Sequence, residues 1–530
     1  MRNALTILLG LAVVAAVHAD GGTDTSPAST SETAATDEPL IIFSTPDKES
    51  SRTISELVKK LKAGTRSERR ERRAGLLSYG PWATTRLADA LAGRRADGSN
   101  VARMGAAICI TEIGDKSGLS ALRLALDDED RWVRKTATLA LGRFALPEDG
   151  QRLESIAKED SAPAAYFALA KLPDVAAPMD RLQRTAPKRG AKHDARAAHL
   201  LANAVVSPIG KEVWEPCVAA LKDDEKLIRR VAAVGLLLRP DAILKTEVIL
   251  DAAEKHDDDV VRATLQLTLG RLPRTDKIAN ALLATAVSSR VKKSVRARAA
   301  LALAGGWFPK GAYKKLNQEF GRIKGNDPRV ISILHAMACA GEDEGKAKNT
   351  NAAIDRLLSL KRSNSWTRKG VACALAHTIY VRPAGRHKRE PEIQDALIEL
   401  RSKNKDERFV RFLKSLLKAR NEYDNPVRRR ELALEAFREH GYSQLLPLEE
   451  QALRAANLAM RVVLKLDDLS DFETAGGSVS HGEQETVTKD GSTEDTGQFG
   501  GKGGGGSEEE ADLIDFLRGG YFVPGDVRGS

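Results

Sequence analysis

Aromatic residues make up only 5% of the 530-residue chain, while apolar residues as a whole reach 42%. A core built mainly from Ala, Leu, Val and Ile suits close-packed helices better than β-sandwiches. Cysteine is scarce as well, with four residues at positions 109, 217, 339 and 373. No CxxC pair exists, which excludes a zinc ribbon or a thioredoxin-like redox site. Their even number would permit two disulfides, but each lies in an apolar helical context, and buried free thiols are expected. HExxH, GxSxG, P-loop and EF-hand patterns are missing too, so the chain is expected to be no enzyme and to hold no metal or cofactor. The glycines at 501, 503 and 506 match GxGxxG formally. They sit in a low-complexity tract with no strand before them and no helix after them, so composition accounts for the match.

Long apolar runs are absent after the amino terminus. The one run, Ala4 to Val17, follows Arg2 and ends at Val17-His18-Ala19, an A-x-A-like cleavage pattern before Asp20. It is short for a bilayer span, so residues 1–19 read as a secretory signal and the protein is expected to be exported to the periplasm, cell surface or medium. An uncleaved anchor is the alternative.

Charge is unevenly spread. Residues 20–50 carry about −6, residues 466–530 about −11, and residues 51–465 about +26. Residues 20–50 and 466–507 are poor in groups that could be buried, so both are expected to be disordered linkers flanking a basic body over 51–465. Residues 508–530 differ. Glu508-Glu509-Glu510 precede Leu513, Phe516 and Leu517, and Gly519-Gly520 close the stretch. This describes a short amphipathic docking segment.

The body repeats itself. Val133-Arg134 leads to Ala137, Ala140, Leu141 and Gly142, and related copies begin at Ile228-Arg229, Val261-Arg262 and Val295-Arg296. Arg196, Arg229, Arg262 and Arg296 follow at intervals of 33, 33 and 34 residues. Degenerate copies near Ala162 and Ile331-Ser332 fill the wider gaps to Arg134 and Arg368. The 3, 3, 1 spacing makes one apolar helical stripe, with small residues that allow close approach. A second helix is expected after each Arg helix, with Pro147, Pro240 and Pro273 near the turn between them. Acidic runs such as Asp127-Asp128-Glu129-Asp130, Asp223-Asp224-Glu225 and Asp257-Asp258-Asp259 then precede the next unit and supply N-caps. Such hairpins bury their apolar faces only by stacking.

The x-[VI]-R-x-x-A-x-x-A-L-G pattern, nearly complete at Val133–Gly142, resembles the HEAT repeats, particularly their short bilin lyase-type variety. The likeness extends over roughly residues 65–420. It implies an all-α solenoid of stacked hairpins and a binding role more than any one chemistry. About twelve hairpins are expected, their second helices lining a basic concave groove.

The periodic arginines have a structural reading, since Asp130–Arg134, Glu225–Arg229 and Asp258–Arg262 are i, i+4 pairs suited to salt bridges at helix starts or between units. Other clusters fall outside that pattern: Arg69, Arg70 and Arg73; Lys292, Lys293 and Arg298; Arg382, Arg386, Lys388 and Arg389; Arg429 and Arg430. Together they predict a surface for an acidic protein or polyanionic polymer. Nucleic acid is disfavoured, because the five tryptophans do not interleave with the clusters. His335 reads as a core histidine. The acidic tail is expected to be able to return to the basic groove. The competing readings are a structural module of an envelope assembly held through its tail, and a repeat-based enzyme.

Overall fold

The computed structural model describes residues 46–466, short connecting stretches excepted, together with Leu517. These residues belong to one compact unit, Pro46–Ser530. The proposed signal segment and the first acidic linker up to Thr45 lie outside the described residues. Among the latter there are twenty-four α-helices and no strand.

The helices pair in the order of the chain. They are α1 (Lys48–Lys59), α2 (Arg66–Ser78), α3 (Thr84–Leu91), α4 (Asn100–Ile113), α5 (Leu119–Leu124), α6 (Arg131–Phe144), α7 (Gly150–Ala157) and α8 (Pro163–Leu169). Next come α9 (Pro178–Arg184), α10 (His193–Val206), α11 (Lys211–Ala220), α12 (Lys226–Leu238), α13 (Thr246–Lys255), α14 (Asp259–Arg271), α15 (Asp276–Val287) and α16 (Lys293–Gly305). The last are α17 (Ala312–Phe320), α18 (Arg329–Asp343), α19 (Ala347–Ser359), α20 (Ser365–Ala376), α21 (Glu390–Ser402), α22 (Glu407–Leu417), α23 (Pro426–Glu439) and α24 (Leu448–Val463). A π-helical segment, His377–Val381, continues α20.

The frame of the repeat differs from the sequence expectation. Each Arg helix packs closely on the shorter helix before it, as α12 does on α11, α14 on α13 and α16 on α15. The acidic run is therefore the turn inside a hairpin, and the prolines open the next one. The reason is local. Asp130 accepts hydrogen bonds from the backbone N–H groups of Trp132 and Val133, at 2.8 and 3.0 Å. Asp258 accepts likewise from Val260 at 2.8 Å. A carboxylate at this position starts the Arg helix, and the chain can reverse in four or five residues.

Successive Arg helices, from α4 to α18, also pack on one another and form a continuous inner layer. Their stripes supply the core: Val133, Ala137, Ala140 and Leu141 are completely buried, as are Val261 and Leu265. The four cysteines are buried free thiols, and burial pushes the Cys217 thiol up to about 12. His335 is a core residue, its ring nitrogen 3.0 Å from that of His377.

Eleven hairpins run from α1 to α22 among the described residues, followed by α23 and α24. Helix α24 does not add to the stack. It folds back across the inner layer and packs on α10, α12 and α14. Ala452, Ala456 and Ala459, at steps of four and three, let it approach closely, and Met460 and Val463 are fully buried beside them. On the other side of the seam Gly270 makes room. A methyl group there would lie 2.8 Å from Ala302 Cβ and 3.0 Å from a Leu448 methyl.

Polar contacts extend the seam at both ends. Lys135 of α6 donates to the Leu464 carbonyl at 3.0 Å, Lys465 pairs with Asp194 at 3.3 Å, and Arg298 of α16 donates to Gln451 at 3.2 Å. A helix of 16 residues is about 24 Å long, whereas helices α6 to α16 of the inner layer, 8–10 Å apart, would span about 40–50 Å if flat. The layer therefore bends around α24.

A candidate surface for an acidic partner

Stacked hairpins bring their internal turns to one edge, and there the charge changes sign. The turns α5/α6, α11/α12 and α13/α14 carry the acidic runs. In α15/α16 the same place reads Ser288-Ser289-Arg290-Val291-Lys292-Lys293. Aligned on the Val-Arg or Ile-Arg pair, the cap position is Asp130, Glu225 and Asp258 in three hairpins and Lys292 in the fourth. The excess continues with Arg322 and Lys324 before α18, Lys361 and Arg362 before α20, and Lys403 and Lys405 before α22, against Asp327 and Asp406. From Ser288 to Asn326 there are ten basic side chains and one acid, Glu319.

Where acid is present, arginine is consumed. Arg103 pairs with Asp128 of the following turn at 2.9 Å, Arg196 with Asp223 at 2.5 Å and Arg230 with Asp258 at 2.9 Å. The expected i, i+4 bridges are replaced by other bonds. Arg134 donates to the carbonyls of Asp128 and Glu129, at 2.5 and 2.8 Å. Arg229 does the same to Asp223 and Asp224, at 2.7 and 2.9 Å. Arg262 reaches Asp259 at 3.3 Å. The guanidinium thus cross-braces the turn, while other arginines tie one unit to the next. Burial pushes the Asp258 carboxyl up, but bonds from Arg230 and from Val260 N–H outweigh it and hold it below the usual carboxylate range.

At the inverted turn the surface opens into a cleft of about 620 Å³. Ser289, Ser294, Lys292, Lys293 and Arg322 line it, with Arg296 and Glu319 at its base. Arg296 and Glu319 are both buried and paired with each other. Lys292 reaches Asp259 of the preceding hairpin at 2.6 Å. Lys293 is exposed, and the Arg322 side chain is 77% exposed although 3.8 Å from Glu319. On α17, Lys314 and Lys315 are exposed as well.

The other basic clusters fare differently. Arg69 and Arg73 are buried, and Arg69 donates to the Gly64 carbonyl at 2.7 Å; only Arg70 of that group faces solvent. Arg298 is sealed under α24, and burial lowers its guanidinium to about 10. Arg429 is buried against Glu390 at 3.0 Å, while Arg430 is exposed. Arg389 is held by Asp355 and Glu392, each at 2.6 Å. Arg69, Arg73, Arg298 and Arg429 are therefore structural residues and not partner contacts: each sits where two elements meet, and its charge is spent there. Arg382, Arg386 and Lys388 lie outside the described residues, as do Leu513 and Phe516. Leu517 is completely buried in the same core cluster as α24. The groove expected along the solenoid is not open over α6 to α16, since α24 occupies the inner face.

Residues 87–170 match the family of HEAT repeats. The chain carries HEAT repeats. The matched stretch begins in α3 and ends with α8, so it covers three hairpins in the frame described above. HEAT repeats generally serve as protein-interaction scaffolds. No curated protein matches the chain. Among solved structures, the chain is similar to the crystal structure of an engineered protein, at 19% identity and a TM-score of 0.31, over 72% of this chain and 98% of that one.

The charge inversion was legible in the sequence, because the caps align on the Val-Arg pairs, but the clusters were chosen by local density instead of by position in the repeat. Among the described residues no three His, Cys, Asp or Glu side chains gather as metal ligands, and no helix is long and apolar enough to cross a membrane.

Proposed function

We propose that this protein is an exported, non-enzymatic scaffold that holds an acidic protein or polyanionic partner on the basic turn edge of its HEAT-like array. One observation carries the reading. The hairpins from α15 onward put lysine and arginine where the preceding two put cap and ladder carboxylates. An acid at the Lys292 position would cap its helix, as Asp258 does, so the basic residue forgoes a stabilising contact. Residues that break a local structural rule without a structural gain mark functional positions.

The reading is tested by titrating the full chain with a polyglutamate at increasing salt. Affinity should fall steeply between 50 and 200 mM salt, because screening weakens several exposed ion pairs at once. Replacing Arg290, Lys293 and Arg322 together by Glu should remove most of it. Binding that ignores both salt and the triple change would sink the proposal.

A second reading, a structural module of an envelope assembly attached through its tail, has Leu517 behind it, since this tail residue fits a fully apolar environment. It requires a peptide of residues 508–530 to capture a partner alone. A peptide that binds only this chain's own body would exclude it.

A further inference from the structure

If the basic edge is the binding surface, its length and borders restrict what it takes. We infer that the site accepts a short acidic peptide segment of about ten residues, seated at the Lys292–Lys293–Arg322 cleft, and discriminates against a continuous polyanion. The inference rests on the preceding proposal.

Neighbouring turns along the stack are about 10 Å apart. Four consecutive turns, from α15/α16 to α21/α22, carry net positive charge in sequence. They provide a basic track of about 30–40 Å. Immediately before it comes Asp257-Asp258-Asp259, and before that Asp223-Asp224-Glu225. The side chain of Asp257 is 81% exposed. That acidic border lies about one turn from the cleft, comparable to the screening length of about 8 Å at physiological ionic strength. A uniformly charged polymer longer than the track would have to cross it and meet like charge. An extended peptide rises about 3.3–3.6 Å per residue, so about ten residues fill the basic track without reaching the border.

The cleft fixes the register of such a segment. Its volume of about 620 Å³ admits a few side chains, not a duplex or a rigid rod. Glu319 is already engaged by Arg296 at its base, so the cleft retains an excess of positive charge from Lys292, Lys293 and Arg322. Ser289 and Ser294 add hydroxyl donors at its rim. Carboxylates spaced along a peptide can meet these donors one at a time, with the backbone bending between them.

The test compares fluorescently labelled decaglutamate with a 30-residue polyglutamate and with heparin, on the full chain at fixed salt. The decamer should bind, and its affinity should drop at least tenfold in a Lys293→Glu/Arg322→Glu variant. Both side chains are exposed, so this variant should keep the helical circular dichroism of the parent; Lys293→Gln, with a loss of a few-fold, serves if it does not. The 30-residue chain should bind no more tightly than the decamer per ten-residue register. Asp257→Lys should strengthen the long chain and heparin more than the decamer. A long chain or heparin at least tenfold tighter per register on the parent protein would overturn the length limit and leave the basic-edge reading standing. A decamer bound equally by parent and double variant would remove the cleft as its seat. If no anion binds at any length, the basic-edge reading itself fails.

Discussion

The two hairpins α13/α14 and α15/α16 are neighbours with the same architecture and opposite turns. In the first, Asp258 caps its helix, receives Arg230 and is almost fully buried with it, both side chains being 6% exposed or less. In the second, Lys292 occupies the same place, with its side chain 73% exposed. The acidic turn is part of the core, whereas the basic turn is part of the surface. The same division holds more widely. The hairpins with acidic turns belong to the stretch whose inner face α24 covers, and the basic turns run on beyond α16. Charge that is buried and paired holds a repeat in place; charge of the other sign, left outside, is available for work.

The seam under α24 offers the most drastic way to break this division. Ala456 is completely buried in it, and Ala456→Arg would force a charge into an apolar contact at a cost of about 4 kcal/mol or more. Hydrogen exchange read by mass spectrometry should then show α10, α12 and α14 losing protection first, while α18 to α22 keep theirs. Uniform loss along the chain would mean that α24 supports the whole array and that the two regions are not separable.

The next largest effect lies in the turns. Asp258→Ala removes a cap and leaves the Arg230 guanidinium buried without its partner, which should cost about 3–5 kcal/mol in urea unfolding. Lys292→Ala at the matching position should stay within about 0.5 kcal/mol, because its pair with Asp259 is exposed. Acid sharpens the contrast. The carboxyls of Asp130, Asp223 and Asp258 are all held below their ordinary 3.8 in the folded chain, where burial raises each but is outweighed by bonds from backbone N–H groups and by contacts to Asn100 or to arginine. A folded pKa below the unfolded one gives stability that is complete above the ordinary value and lost as pH falls through the folded value. Acid unfolding followed by exchange should therefore start below about pH 4 in the hairpins with acidic turns. Simultaneous loss in α18 to α22 would contradict the assignment.

Most of the fold was legible because its signal is periodic. The Val-Arg spacing and the small-residue stripe identify the inner layer, and each stripe residue of the Val133 copy proves buried. The hairpin frame was less legible. A run such as Asp127–Asp130 precedes an N-cap in either frame, and only packing tells which helix it joins to the next. Helix α24 was missed for a different reason: Ala452, Ala456 and Ala459 have helical spacing like any repeat helix, and sequence spacing says nothing of a partner some 180 residues earlier. The candidate basic residues were mixed for the same reason. Arg298 and Lys293 lie five residues apart, one under α24 and the other in water, and no local pattern separates them.

The smallest expected effect is the most discriminating for Lys292. A serine there could accept from the first N–H groups of α16 and add about 0.5–1 kcal/mol as a cap. It would also lose the exposed pair with Asp259, worth about 0–1 kcal/mol. The two terms oppose each other, so Lys292→Ser should leave the unfolding midpoint nearly unchanged while weakening decaglutamate two- to fivefold. This outcome separates two reasons for a lysine at a cap position. If the serine variant binds the peptide as the parent does but loses more than about 1 kcal/mol, Lys292 stands there to brace Asp259, and the sign change at this turn would be a variant of the ladder and not a binding feature.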